Sequence, residues 1–172
     1  MNIIALFKSG MVAASLAVLA ACTSTAFVPS SLAFLPTEEA RWFAVGELDA
    51  AGEVQNQSLL AVERDADGLR FVQTTALGAP IARQVLRAEG WSNDGFVMPN
   101  AQSRALFTAL LPLLALSPNS EIYPQLTRSQ ENDATVFRQN GQEQWRLLRL
   151  KDGDEIRFPD GKTWQIKEIQ AE

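Results

Sequence analysis

The sequence predicts a mainly β domain, an antiparallel sheet of many strands that curves around one central apolar helix. Three observations predict it. Runs of β-forming residues with period-two alternation recur on both sides of the chain's middle. Asp67-Gly68, Asn140-Gly141, Asp152-Gly153 and Asp160-Gly161 punctuate those runs, and Asn-Gly and Asp-Gly favour the positive φ angles of tight hairpins. Between the two sets lies "NAQSRALFTALLPLLAL", whose apolar residues cover nearly the whole circumference of a helix. Such a helix needs partners on every side. A flat sheet offers one face, whereas a bowed sheet can enwrap it.

The elements follow in chain order. "RWFAVGELD" reads as a strand ending at "AAGE", "VQNQSLLAVER" as a second, and "LRFVQTT" as a third after "DADG". "IARQVLRAE" fits a strand or a helix; Gly78, Pro80 and the neighbouring strands favour the strand. Asn100 is an N-cap for a helix from Ala101 to Leu111, which Pro112 kinks or ends by its ring and its missing N–H donor. "SPNSEIYPQL" reads as a loop. "ATVFRQN", "EQWRLLRL", "EIRF" and "TWQIKEI" then close an antiparallel meander through tight hairpins.

Ahead of the strands, residues 1–21 have the form of an export leader: Lys8, an apolar run "MVAASLAVLA" too short to span a bilayer, then small residues. Leu19-Ala20-Ala21-Cys22 resembles the lipobox of bacterial lipoproteins, in which the cysteine is acylated and the leader removed. Cys22 is the chain's one cysteine, so no internal disulfide can form. Three acyl chains of about fifteen methylenes, at ~0.8 kcal/mol each, would anchor on the order of 36 kcal/mol. Thr23 follows the cysteine where enterobacterial lipoproteins kept at the inner membrane have Asp, so the resemblance implies the periplasmic face of the outer membrane. Residues 22–40, rich in Ser, Thr and Pro, read as the lipidated N-terminus and a tether, and 41–172 as a single domain.

Cleavage would leave 151 residues, enough for one core. With Lys8 gone, 14 cationic residues face 20 acidic ones, a net charge of −6. That balance argues against nucleic acid and against adhesion to anionic lipid, leaving the acyl anchor as the membrane contact.

Catalytic chemistry is sparse. The chain has no histidine, which removes Ser-His-Asp triads and imidazole metal ligands. No Ser-x-x-Lys spacing occurs. Asp65/Asp67 and Asp152/Asp154 are paired carboxylates, yet both sit at hairpin turns, and Ala76 stands where a calcium loop opening at Asp65 would need Glu. A non-enzyme without metal or cofactor is expected. A thioesterase-like hydrolase using carboxylates is the weakest alternative.

The order of lipobox, proline-bearing tether, strands, mid-chain apolar helix and strands resembles the LolA/LolB superfamily of lipoprotein carriers. "LRFVQTTALGAPIARQVLRAEGW" followed by "RALFTALLPLLAL" is similar to a family of outer-membrane lipoproteins in that superfamily, often encoded with aryl polyene biosynthesis. The resemblance implies an unclosed β-barrel whose apolar cavity takes acyl chains. Trp42, Phe71, Leu106, Phe107, Leu110, Leu114 and Trp145 would line that cavity. For the tryptophans and the helix, ordinary core packing is the competing reading. Nothing in the sequence matches the protruding hydrophobic loop of LolB. Two functions follow: an anchored carrier that binds or shuttles a lipid or other hydrophobic molecule, or an adapter lipoprotein that docks an envelope protein and has no ligand.

Overall fold

The computed structural model describes residues 27–33, 40–117 and 120–169. The leader, the lipobox with Cys22, and much of the tether lie outside them. Ten strands and one helix follow in the order β1 (Arg41–Leu48), β2 (Val54–Asp65), β3 (Gly68–Thr75), β4 (Pro80–Arg87), β5 (Gly90–Asn93), α1 (Ala101–Leu114), β6 (Thr127–Glu131), β7 (Ala134–Gln139), β8 (Gln142–Leu150), β9 (Gly153–Arg157) and β10 (Thr163–Ile169). All ten strands form one antiparallel sheet, curved and not closed, in the order β5-β4-β3-β2-β1-β10-β9-β8-β7-β6. The mainly β fold and the central helix agree with the sequence.

The hairpins form where the Gly-bearing dipeptides stand. Asn140 and Gly141 both take positive φ, 50° and 80°, which matches the right-handed twist of the strands they join. "IARQVLRAE" is the strand β4, with Ala82, Gln84 and Leu86 turned inward.

Three expectations need correction. Two strands were not foreseen, β5 and β6, and they are the two edges of the sheet. The closing meander forms as read, in the order β10-β9-β8-β7-β6, and β1 joins it by pairing with β10 from Trp42↔Ile169 to Leu48↔Thr163. Helix α1 continues past Pro112 to Leu114. The carbonyl of Thr108, which loses its i+4 donor at Pro112, accepts a hydrogen bond of 2.7 Å from the Tyr123 hydroxyl instead. Residues 27–33, assigned to the tether, lie against the domain: Pro29 is buried, and Phe27 and Leu32 pack on the core.

One core fills the concave side. Phe43, Val45, Leu60, Val62, Leu69, Phe71, Ala82 and Leu86 from the first half of the sheet meet Phe137, Trp145, Leu147, Ile156, Trp164 and Ile166 from the second. Helix α1 lies between, with Leu106, Phe107, Ala109, Leu110 and Leu111 fully buried. Ile122, Tyr123 and Leu126 from the α1–β6 connection, with the 27–33 segment, supply the sides that the sheet leaves uncovered.

Candidate functional site

Six of the seven sequence-predicted lining residues come together. Phe71, Leu106, Phe107, Leu110, Leu114 and Trp145 all belong to the core around α1, and none is more than 2% exposed. The chain's own side chains cover them. Trp42 does not join the group. Phe43 and Val45 point inward from β1, so Trp42 is on the outer face, where it is 43% exposed.

Around α1 the aromatic rings form two groups. Phe71 stacks on Phe107 at 5.1 Å between centroids, and Trp91 of β5 tilts against both at 5.1 and 6.3 Å. On the other side Phe137 stacks on Trp145 at 5.0 Å, and Tyr123 meets Trp145 edge-on at 5.8 Å. Phe27 closes on this second group, 5.7 Å from Trp145 and 6.2 Å from Tyr123. Its carbonyl accepts from Trp91 Nε1 at 3.2 Å, which links the 27–33 segment to the first group. Gln125 Nε2 donates to Val28 O at 3.0 Å and Ser30 N to Ile122 O at 2.9 Å. The segment therefore straps edge strand β5 to the connection that leads into the opposite edge, β6.

Polar groups inside the core are few and mostly paired. Asn100 caps α1 by accepting from Ser103 N at 3.0 Å, as its sequence position suggests. Ser103 Oγ donates to Gln73 Oε1 at 2.8 Å, and Gln73 Nε2 donates to Ser58 Oγ at 2.9 Å. Gln84 Nε2 donates to Asn100 O, and Gln84 Oε1 accepts from Arg104 Nε. This chain of side chains pins the start of α1 to β2, β3 and β4. Burial pushes the Tyr123 phenol well above its usual range. Thr108 Oγ1, Trp145 Nε1 and Trp164 Nε1 are buried with no hydrogen-bond partner.

Charged groups keep to the outer face and rims. Arg70 joins Asp65 and Asp94, both at 3.2 Å, while Arg83 and Arg87 complete the cluster beside buried Val85. Arg138 holds Glu131 at 2.5 Å and Arg146 holds Glu143 at 2.5 Å beside buried Val136. Those hydrogen bonds hold the carboxyls of Glu131 and Glu143 below the usual range. Asp154 is shifted upward by burial, against the pull of Arg149 at 2.9 Å. Asp65 and Asp152 pair with arginines and with Lys167 respectively, as turn carboxylates do. Among the described residues no group of three or more His, Cys, Asp or Glu could hold a metal ion. No described helix is long and apolar enough to cross a membrane.

Sequence reading missed three features. Leu77 at the β3–β4 turn is 97% exposed, and Phe96 and Met98 in the β5–α1 connection are 107% and 80% exposed. Both connections lie at the same end of the sheet, since β3 and β5 run parallel to each other on either side of β4. A depression of about 450 Å³ opens on the outer face, among Gly46, Val54, Leu59, Ala76, Asp152 and Lys167. The third is the strap itself. A scan finds no family model that matches the chain, and a search of curated proteins finds no significant match.

Proposed function

We propose that the chain is a LolA/LolB-like lipoprotein, anchored through Cys22 at the periplasmic face of the outer membrane, that binds or shuttles an acyl-type hydrophobic molecule. A role in aryl polyene lipid export fits the sequence resemblance. The observation that carries this reading is the unclosed sheet around an apolar helix. Its aromatic interior, with Phe71, Trp91, Phe107 and Trp145, lies between two sheet edges that are not hydrogen-bonded to each other and is covered there by other segments of the chain. The exposed Leu77, Phe96 and Met98 suit work at an apolar surface. Affinity would come from apolar burial at about 25 cal/mol per Å², so selectivity among chains would be loose.

Organic extraction of protein purified from its own host, followed by mass spectrometry, tests this reading. Acyl or polyene lipid beyond the anchor is the expected result. Lipid-free extracts, together with no uptake of a fluorescent fatty acid by folded delipidated protein, would end it.

A second reading is favoured by the full coverage of the six core residues: an adapter lipoprotein with a self-filled interior and no ligand. It expects protein of unaltered mass in native mass spectrometry and an envelope partner cross-linked at the Leu77, Phe96 and Met98 loops.

A further inference from the structure

The strap has the features of an occupant rather than of a structural element. It has no helix or strand of its own. It puts one benzyl group, Phe27, among the rings of Tyr123 and Trp145, and two carbonyls, Phe27 O and Val28 O, on the N–H groups of Trp91 and Gln125. Its footing lies far along the chain, with Ser30 bonded at Glu121 and Ile122 and Val28 at Gln125. Beside Phe27, the Trp145 indole is 2% exposed and its N–H has no partner while the strap is docked. A buried donor without an acceptor marks a place where an acceptor is missing.

We propose that residues 27–33 are a removable strap that occupies the ligand's own slot, and that the ligand is the acyl chain of a neutral carbonyl-bearing lipid, an ester or amide. The chain takes the place of Phe27, and the lipid's carbonyl takes the place of the strap carbonyls or satisfies Trp145. The two donors that the strap carbonyls occupy, from Trp91 and Gln125, are uncharged, as is the unpaired indole of Trp145, so a neutral carbonyl suits them better than a carboxylate that must be desolvated. This rests on the acyl-binding function proposed above. With the strap docked, five Cα–Cα steps separate Cys22 from Phe27, a reach of about 18 Å at full extension. Release lengthens the leash to eighteen steps, ending at Ala40, about 65 Å. Loading and reach are therefore coupled: the filled protein stands further from its anchor than the empty one.

The test uses the mature chain from residue 22 with Cys22→Ser, which removes its own acyl groups, and the methyl ester of cis-parinaric acid as probe. Phe27→Ala weakens the internal competitor, and the probe then binds about tenfold more tightly than to the otherwise identical chain, because a larger fraction of the protein is open. In the chain that keeps Phe27, saturating probe speeds hydrogen exchange at the Ser30 amide, which loses its bond to Ile122 O. Equal or weaker binding by folded Phe27→Ala overturns the proposal, and so does a Ser30 amide that stays protected in the probe complex. Should Phe27→Ala fail to fold, the Ser30 exchange decides alone. If the chain with Phe27 binds the probe and Ser30 stays protected, the strap's role falls and the acyl-binding function stands. If neither chain binds, both fall.

Discussion

At the scale of single residues, Tyr123 and Pro112 solve one problem between them. Proline removes a donor from the last turn of α1, and the chain's one tyrosine returns it from eleven residues beyond Pro112. Tyr123→Phe leaves the Thr108 carbonyl buried and unpaired, and should destabilise the fold by about 1–3 kcal/mol. In a Pro112→Ala background the helix supplies its own N–H, so most of that cost should vanish; urea melts of the four variants measure the coupling. A cost that is the same in both backgrounds would show that Tyr123 acts by packing alone. Trp42 shows why residue-level reading went astray. In "RWFAVGEL" both alternating sets, Trp42 with Ala44 and Phe43 with Val45, are apolar, so period-two reasoning could not choose the inward one. The choice is made by the cross-strand partners, Leu60 and Ile166, which only the fold brings alongside Phe43 and Val45.

Among elements, those with a local cause were legible and those held only by neighbours were not. The Asn100 cap and the Asn140-Gly141 turn carry their reasons within a few residues. Strand β6, "TRSQE", is polar throughout and shows no apolar alternation; its pairing with β7 and its ion pair to Arg138 define it. Strand β5 is four residues long and its last two residues, Ser92 and Asn93, are exposed. Short, polar edge strands also discourage pairing with a second copy. Gly153 opens β9 at φ 107°, and a Cβ there would stand 2.2 Å from Ile166 O of β10. Gly153→Ala should therefore cost about 3 kcal/mol or more, since backbone strain adds to a clash with a main-chain atom that cannot turn aside. A loss in thermal stability no greater than that of an exposed-loop Gly→Ala change, such as at Gly52, would contradict this packing.

Over the whole molecule, charge sets the response to pH. Without histidine, stability should be nearly flat between about pH 5 and 8, where histidine is the side chain that ordinarily titrates. Hydrogen bonds from Arg138, Arg146 and Arg41 hold Glu131, Glu143 and Glu168 below their ordinary value of 4.5. Their contribution is complete above that value and is lost as pH falls through the depressed folded values. Asp154 runs the other way: its burial opposes ionisation, and acid relieves that cost as pH falls through its raised value. The melting temperature should thus hold to about pH 5 and then fall, and Glu131→Gln with Glu143→Gln should flatten the fall. An unchanged acid limb in that variant would remove these pairs from the account. The domain outline was largely legible from composition and turn chemistry. The docking of residues 27–33 was not, because a Ser- and Pro-rich stretch reads as linker and its partners lie more than sixty residues away.

The pairing of β1 with β10 has one more consequence, for how the molecule is made. The first five strands can zip together as they emerge, and so can the last five, yet the seam between the two halves joins the earliest strand to the latest. A nascent chain must carry its first half with an open flank until β10 arrives. The two halves can each knit early, but the seam that makes them one sheet closes last.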